Sequence, residues 1–182
     1  MFILYAIPIG VVVGYLLGGR LERLGDLRLR WLPLMLFGLI VQIAIFSDAG
    51  ERVVGNAGPP LYVGSTLAVF IAVVRNSRVP GVALIAVGAG LNLLAIAANG
   101  GWMPADPKAL ESVGGLPPGY TNSILVSDPA LRPLTDLFAL PSWFPLANVF
   151  SIGDVLIGVG VAATIAVAMR RPTPAARPER SS

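Results

Sequence analysis

The chain has 182 residues, 55% of them hydrophobic and 13% charged, with a mean hydropathy of +0.76 and a formal charge of +3. That balance leaves too little polar surface for a soluble domain of this length, and it reads as one integral membrane unit. With no cysteine and no histidine, the chain lacks disulfides, thiolate nucleophiles, the usual zinc ligand, the commonest general base and any serine–histidine relay, so no metal and no cofactor is expected.

A hydrocarbon core of roughly 30 Å needs about 17–25 apolar residues in a helix. Five segments approach that length, at 2–19, 31–46, 58–74, 79–98 and 150–169. The second and third are short and would borrow flanking residues or span a thinned bilayer. The expected fold is therefore all-α: a polytopic helical membrane protein with a single membrane domain over 1–170. A long proline- and glycine-rich loop at 99–149 joins the last two spans. The tail at 171–182 is basic, proline-rich and expected to be disordered.

Basic residues set the orientation. Arg20, Arg23, Arg28, Arg30, Arg75, Arg78, Arg170, Arg171, Arg177 and Arg180 fall on one side, and Arg52, Lys108 and Arg132 on the other. Ten of the 13 basic residues thus mark the cytoplasmic side, giving an N-terminus outside, a C-terminus inside and the long loop outside. The same topogenic arginines account for the pI near 9.8, which excludes a nucleic-acid partner. The first span has no basic region before it and its arginines after it, so it reads as a retained helix, not a cleaved signal peptide.

In the first span, Gly10, Gly14 and Gly18 form a GxxxGxxxG face. Such a face lets two helix backbones approach closely, within the chain or in a homodimer. Pro8 is expected to bend the outer part of this helix. Gln42, near the outer end of the second span, would snorkel or bond to a neighbouring helix. Gly81, Gly88 and Ala95 repeat at seven-residue spacing in the fourth span, and Gly153, Gly158 and Gly160 lighten the fifth. These three helices are the expected centre. Asn92 lies deep in the fourth span and should bond across to a neighbour, as glue or as a ligand contact.

The fourth span ends in NGGWMP, 99–104. Asn99, Gly100 and Gly101 supply positive-φ positions and Pro104 prevents the helix resuming, with Trp102 at headgroup level. Gly114 to Tyr120 is turn chemistry. Leu131, Leu134, Leu137 and Phe138 trace one helical face, which predicts a short interfacial helix over 131–140 in the outer loop. Pro141 closes it, and Trp143 and Phe144 anchor the chain before the fifth span. Loops of this length are often functional.

Asp154 lies in FPLANVFSIGDVLIGVG, 144–160, at the start of the fifth span. With Ser151 or Asn148 as N-cap, its carboxylate would favour the positive end of the helix dipole. It would equally serve as a ligand contact, a proton or cation site, or half of a catalytic pair.

The last helix resembles that of the lipoprotein signal peptidases, membrane aspartyl proteases in which a Phe-x-x-Phe-Asn-x-Ala-Asp segment delivers one of two catalytic aspartates. Asp154 matches that aspartate, although Asn148 precedes it by six residues instead of three. The other family aspartate, in Gly-Asn-x-x-Asp-Arg, would fall at Ala95 after Asn92, leaving Asp136 as the second carboxylate. A resemblance over the whole chain, through NGGxMP and NVxSIGDxLI, is to a family of small bacterial multi-pass inner-membrane proteins of unknown function. It implies an architecture and a host but no activity, and its matching positions are Asn99, Gly100, Gly101, Met103, Pro104, Asn148, Ser151, Gly153 and Asp154. The leading expectation is a non-enzymatic protein binding a partner or small ligand in an outer pocket built from the NGGWMP end, the interfacial helix and the Asp154 turn, with Asn92 a further candidate contact. A small transporter or ion-coupled carrier is the second reading and an aspartyl protease the third.

Overall fold

The computed structural model describes residues 2–115 and 123–170. The turn expected over 114–120 lies from residue 116 onward outside the described residues, as does the tail at 171–182. The architecture is mostly helical. A 3-10 turn, Phe2–Tyr5, leads into α1 (Ala6–Leu16), followed by α2 (Leu32–Ile45), α3 (Asp48–Val54), α4 (Gly58–Val74), α5 (Val82–Ala98), α6 (Pro107–Ser112) and α7 (Ile152–Arg170). By length and composition, two stretches could cross a membrane: Arg52–Val74, which continues from α3 into α4, and Ile152–Arg170. Phe2–Leu16, Leu32–Ile45 and Val82–Ala98 are shorter apolar helices.

Local chemistry sets the helix boundaries. Pro8 sits in the first turn of α1, just after the 3-10 turn gives way to α-helix, where its missing N–H has no helical acceptor to lose. Gly18, at φ +75°, turns the chain out of α1, while Gly19 N–H donates back to Gly14 O at 2.8 Å. Pro59 and Pro60 open α4. Asn99 ends α5, and Gly100 and Gly101 follow at φ +70° and +92°.

The centre is α7, flanked by α1 and α5, and glycine makes it. A Cβ on Gly10 would meet Ala162 Cα at 2.9 Å, and one on Gly14 would run into Met169. On the other side of α7, Gly88 lies against the Gly153 carbonyl and Ile157, and a Cβ on Gly160 would fall 2.8 Å from the Gly81 carbonyl oxygen. Ala95 is fully buried. The face carrying Gly10 and Gly14 is thus filled by α7 of the same chain, while Gly18 lies beyond the helix with open space around it. A second pair, α2 with α4, meets at Gly38, whose Cβ would fall 3.2 Å from Ser65 O. Gln42 Nε2 donates to Thr66 Oγ1 there at 3.4 Å.

Several buried helix positions are small, and many large aliphatic side chains face outward. Ala6, Ala72, Ala95, Ala166 and Ala168 are buried, whereas Leu16 is 80% exposed, and Phe37, Ile40 and Ile43 stand outward on α2. Asn76, buried between helices, ties two connections together. Its Nδ2 donates to Arg30 O and Ala72 O, and its Oδ1 accepts from Arg30 N, all at 2.7 Å.

The segment joining α5 to α7 is built from short pairings. Strand β1 (Met103–Pro104) runs parallel to β2 (Ser123–Ile124), in register Met103 to Ser123. Strand β3 (Phe138–Ala139) runs antiparallel to β4 (Val149–Phe150). The helix expected over 131–140 is not formed. Leu131 takes φ +52°, Arg132–Leu134 makes a single 3-10 turn, and the chain then extends. Asp136 N donates to Pro104 O at 3.0 Å, and Asp136 O accepts from Asp106 N at 2.9 Å. These backbone bonds hold the segment as a strand neighbour, so tertiary pairing overrides the helical spacing of its leucines. The short helix of this segment is α6, capped by Asp106, whose Oδ1 accepts from Lys108 N at 2.9 Å.

Candidate functional site

Ser151-Ile152-Gly153-Asp154 forms a reciprocal cap on α7. Asp154 N donates to Ser151 Oγ at 3.1 Å, and Ser151 N donates to Asp154 Oδ2 at 3.0 Å, so two otherwise orphaned amides are satisfied at the helix start. Ser151, rather than Asn148, is the N-cap. The cap is also bonded across to α5: Asn92 Nδ2 donates to Asp154 Oδ1 at 2.8 Å, and Ser151 Oγ reaches Asn92 Oδ1 at 2.8 Å. Gly153 permits this closeness, since a Cβ there would overlap the Asn92 side chain. Asp154 is therefore an acceptor with both oxygens engaged.

A cavity of about 460 Å³ opens beside this cap. Phe2, Ile3, Leu4, Leu110 and Val113 give it apolar walls, while Asn92, Asp136, Asn148 and Asp154 converge on it. Asp136 is 5% exposed, and among the described residues no donor reaches its carboxyl group. Burial, reinforced by the negative charge of Asp154, pushes its pKa up to about 8. The two aspartates thus sit in contrasting environments, one stripped of donors and one held by three groups. Asn148 Nδ2 donates to Val149 O at 2.6 Å, but its buried Oδ1 has no hydrogen-bond partner among the described residues, which is uncommon for a buried polar atom.

The wall at Phe2 is closed by aromatic contacts. Phe2 stacks on Phe150 with centroids 4.3 Å apart, Phe138 stacks on the same ring, and Tyr5 meets Phe144 edge-on. The Tyr5 hydroxyl donates to Pro145 O.

A family of unknown function, DUF5317, matches residues 26–166. The chain belongs to DUF5317. No match was found among the curated proteins or among the solved structures. In this DUF5317 member the matched region takes in α2 to α6 and most of α7, and with them every polar group that converges on the cavity. Only the Phe2–Leu4 wall lies outside it.

The residues expected to form a site divide into two groups in this DUF5317 chain. Asn92, Met103, Asn148 and Asp154 line the cavity, as does Asp136, and the buried Ser151 braces Asn92 and Asp154 from behind. Asn99, Gly100, Gly101 and Pro104 lie outside it. Asn99 Nδ2 donates to Ala95 O and Ala130 O, and its Oδ1 accepts from Ala130 N, so it clamps the connecting segment to the end of α5. Gly101 packs on Pro59, and Pro104 is buried in β1. Tyr62, Ser123 and the Phe2–Leu4 wall also line the cavity without having been singled out. They come from remote elements and share no local pattern.

Proposed function

We propose that this chain is a five-span protein of the bacterial inner membrane, N-terminus outside and C-terminus in the cytoplasm, whose outer cavity binds a small ligand. The arginine distribution supports the orientation. Glycines at the helix contacts and large aliphatic side chains facing outward support lipid around the helices, since small residues let helices associate where the surroundings are as apolar as leucine. The observation that carries the ligand reading is the cavity itself. It is about 460 Å³, largely apolar, and lined by the acceptors Asp136, Asp154 and Asn148, the buried Asn148 Oδ1 having no partner among the described residues.

A thermal-shift screen of small amphiphilic compounds on the purified full chain in lipid nanodiscs tests it. Ala147→Trp, which places an indole in the cavity, should abolish the stabilisation that ligands give the native chain. Compounds that stabilise both proteins equally would reject the cavity as the site.

An acid–base enzyme is the second reading, favoured by Asp136 and Asp154 facing one cavity in unlike environments. Loss of turnover of a membrane-embedded peptide in both Asp136→Asn and Asp154→Asn, with ligand affinity retained, would support it.

A further inference from the structure

We propose that the cavity takes a small organic cation, a protonated amine on an apolar body, seated between Asp136 and Asp154 with its N–H groups reaching Asn148 Oδ1. This rests on the cavity being a ligand site and names the chemistry of what it holds.

The case begins with the donor and acceptor inventory. Among the described residues, the Asp136 carboxyl, which no donor reaches, and Asn148 Oδ1, buried without a partner, are the acceptors left open to the cavity. Asn92 has its amide committed, donating to Asp154 and accepting from Ser151. No lysine or arginine is among the described lining residues, so an anionic group would meet Asp154 with no counter-charge. An ammonium group supplies what is missing, namely several donors and one positive charge. The apolar walls at Phe2, Ile3, Leu110 and Val113 then bury the carbon body of the ligand.

The charged surroundings of Asp136 isolate its pairing with Asp154. From β1 onward, Asp106 is paired with Arg132 at 3.6 Å. Lys108 and Glu111 on α6 are exposed. From α4, Tyr62 lines the cavity, and from α7, Asp154 does. With no cation bound, Asp136 carries a proton at neutral pH, because its pKa is pushed up to about 8. A bound ammonium reverses that preference, since the positive charge favours carboxylate. The O–H bond of Asp136 breaks, the proton leaves to the buffer, and the carboxylate pairs with the cation. Binding thus exchanges one proton for one organic cation, with no other bond made or broken.

The test is titration calorimetry on the full chain in lipid nanodiscs with three matched probes: hexylamine, hexanol and hexanoate, with empty nanodiscs as the blank. Hexylamine stays protonated from about pH 6 to about pH 9, like a lysine side chain. It should bind best of the three, and its affinity should rise by up to about tenfold per pH unit toward pH 8 and then level off. Asp136→Asn, which retains the side-chain volume, should keep the helical fold and lose the slope. Equal binding of the three probes, or tightest binding of hexanoate, overturns the cation inference while leaving a ligand cavity standing. Preference for hexylamine with no pH slope in the native chain overturns the proton exchange. Failure of all three probes to bind the folded native chain removes the ligand-site reading together with this one.

Discussion

Asn92 Nδ2 donates to Asp154 Oδ1 at 2.8 Å across 62 residues of sequence, joining the middle of α5 to the first turn of α7. The bond makes the α7 cap a tertiary joint, because the cap's own serine returns a hydrogen bond to Asn92. Removing the amide should therefore unsettle more than one helix end. Asn92→Ala leaves Asp154 Oδ1 and the Ser151 hydroxyl each short of a partner and should cost about 1–3 kcal/mol, read as a lowered midpoint in thermal or SDS-driven unfolding. Asp154→Asn keeps an acceptor oxygen for the cap and should cost less. An Asn92→Ala variant as stable as the native chain would show that this joint carries no stability.

Glycine at the helix contacts should be equally exacting. Gly153→Ala would drive a methyl group into Asn92, with the Gly88 carbonyl also at 2.8 Å. Overpacking at such a site costs about 1–3 kcal/mol. Gly25 has nothing within 4 Å of the same atom, so Gly25→Ala should leave the unfolding midpoint nearly unchanged. Equal effects at the two sites would remove close approach as the reason for Gly153.

The raised pKa of Asp136 has a definite sign for stability. A carboxyl that ionises near pH 8 when folded and near 3.8 when unfolded makes the folded state hold more protons between those values. Its contribution is fully present below about pH 3.8 and is lost as pH rises through about 8. Asp136→Asn should flatten this fall and be more stable than the native chain at pH 8. Melting curves recorded across that range check it, and a native chain that gains stability from Asp136 on going alkaline would contradict the assignment.

Asn99 should govern the hold on the connecting segment. Asn99→Ala removes its bonds to Ala95 O, Ala130 O and Ala130 N. Hydrogen exchange around Ala130 should accelerate at least several-fold, with exchange in the middle of α7 unchanged.

Because the chain has no cysteine, the proposed orientation can be mapped by single labels without background. Ser127→Cys in the connecting segment should react with an impermeant thiol reagent in intact cells, and Ser77→Cys after α4 only once the membrane is opened. The reverse pattern would invert the topology.

Some of this architecture can be read locally. The apolar runs mark the helices, Asn99-Gly100-Gly101 marks the end of α5, and Ser151 three residues before Asp154 marks the start of α7. The glycines of α1, α5 and α7 point to the three helices that meet. The 131–140 stretch misleads because leucine spacing suits a helix, while the partners that extend it, Pro104 and Asp106, lie some thirty residues earlier. The Asn76 clamp is equally hidden, its partner backbone being Arg30. The cavity has no local signature at all. Its walls come from residues 2–4, from α4 to α7 and from the connecting segment, and their volume exists only once these pack.

The last helix is fastened differently at its two ends. At Met169, Arg20 N donates to the carbonyl at 2.8 Å, and Arg23 Nη1 reaches the carbonyls of Met169 and Arg170 at 3.3 Å. At the other end Phe2 stacks on Phe150, in β4 just before α7, and the Tyr5 hydroxyl adds a single bond to Pro145 O. Directed bonds resist sliding, whereas stacked faces slip past one another at little cost. The pair α1–α7 is thus tied by several directed bonds at the arginine end and mainly by ring faces at the phenylalanine end, where Phe2 also walls the cavity.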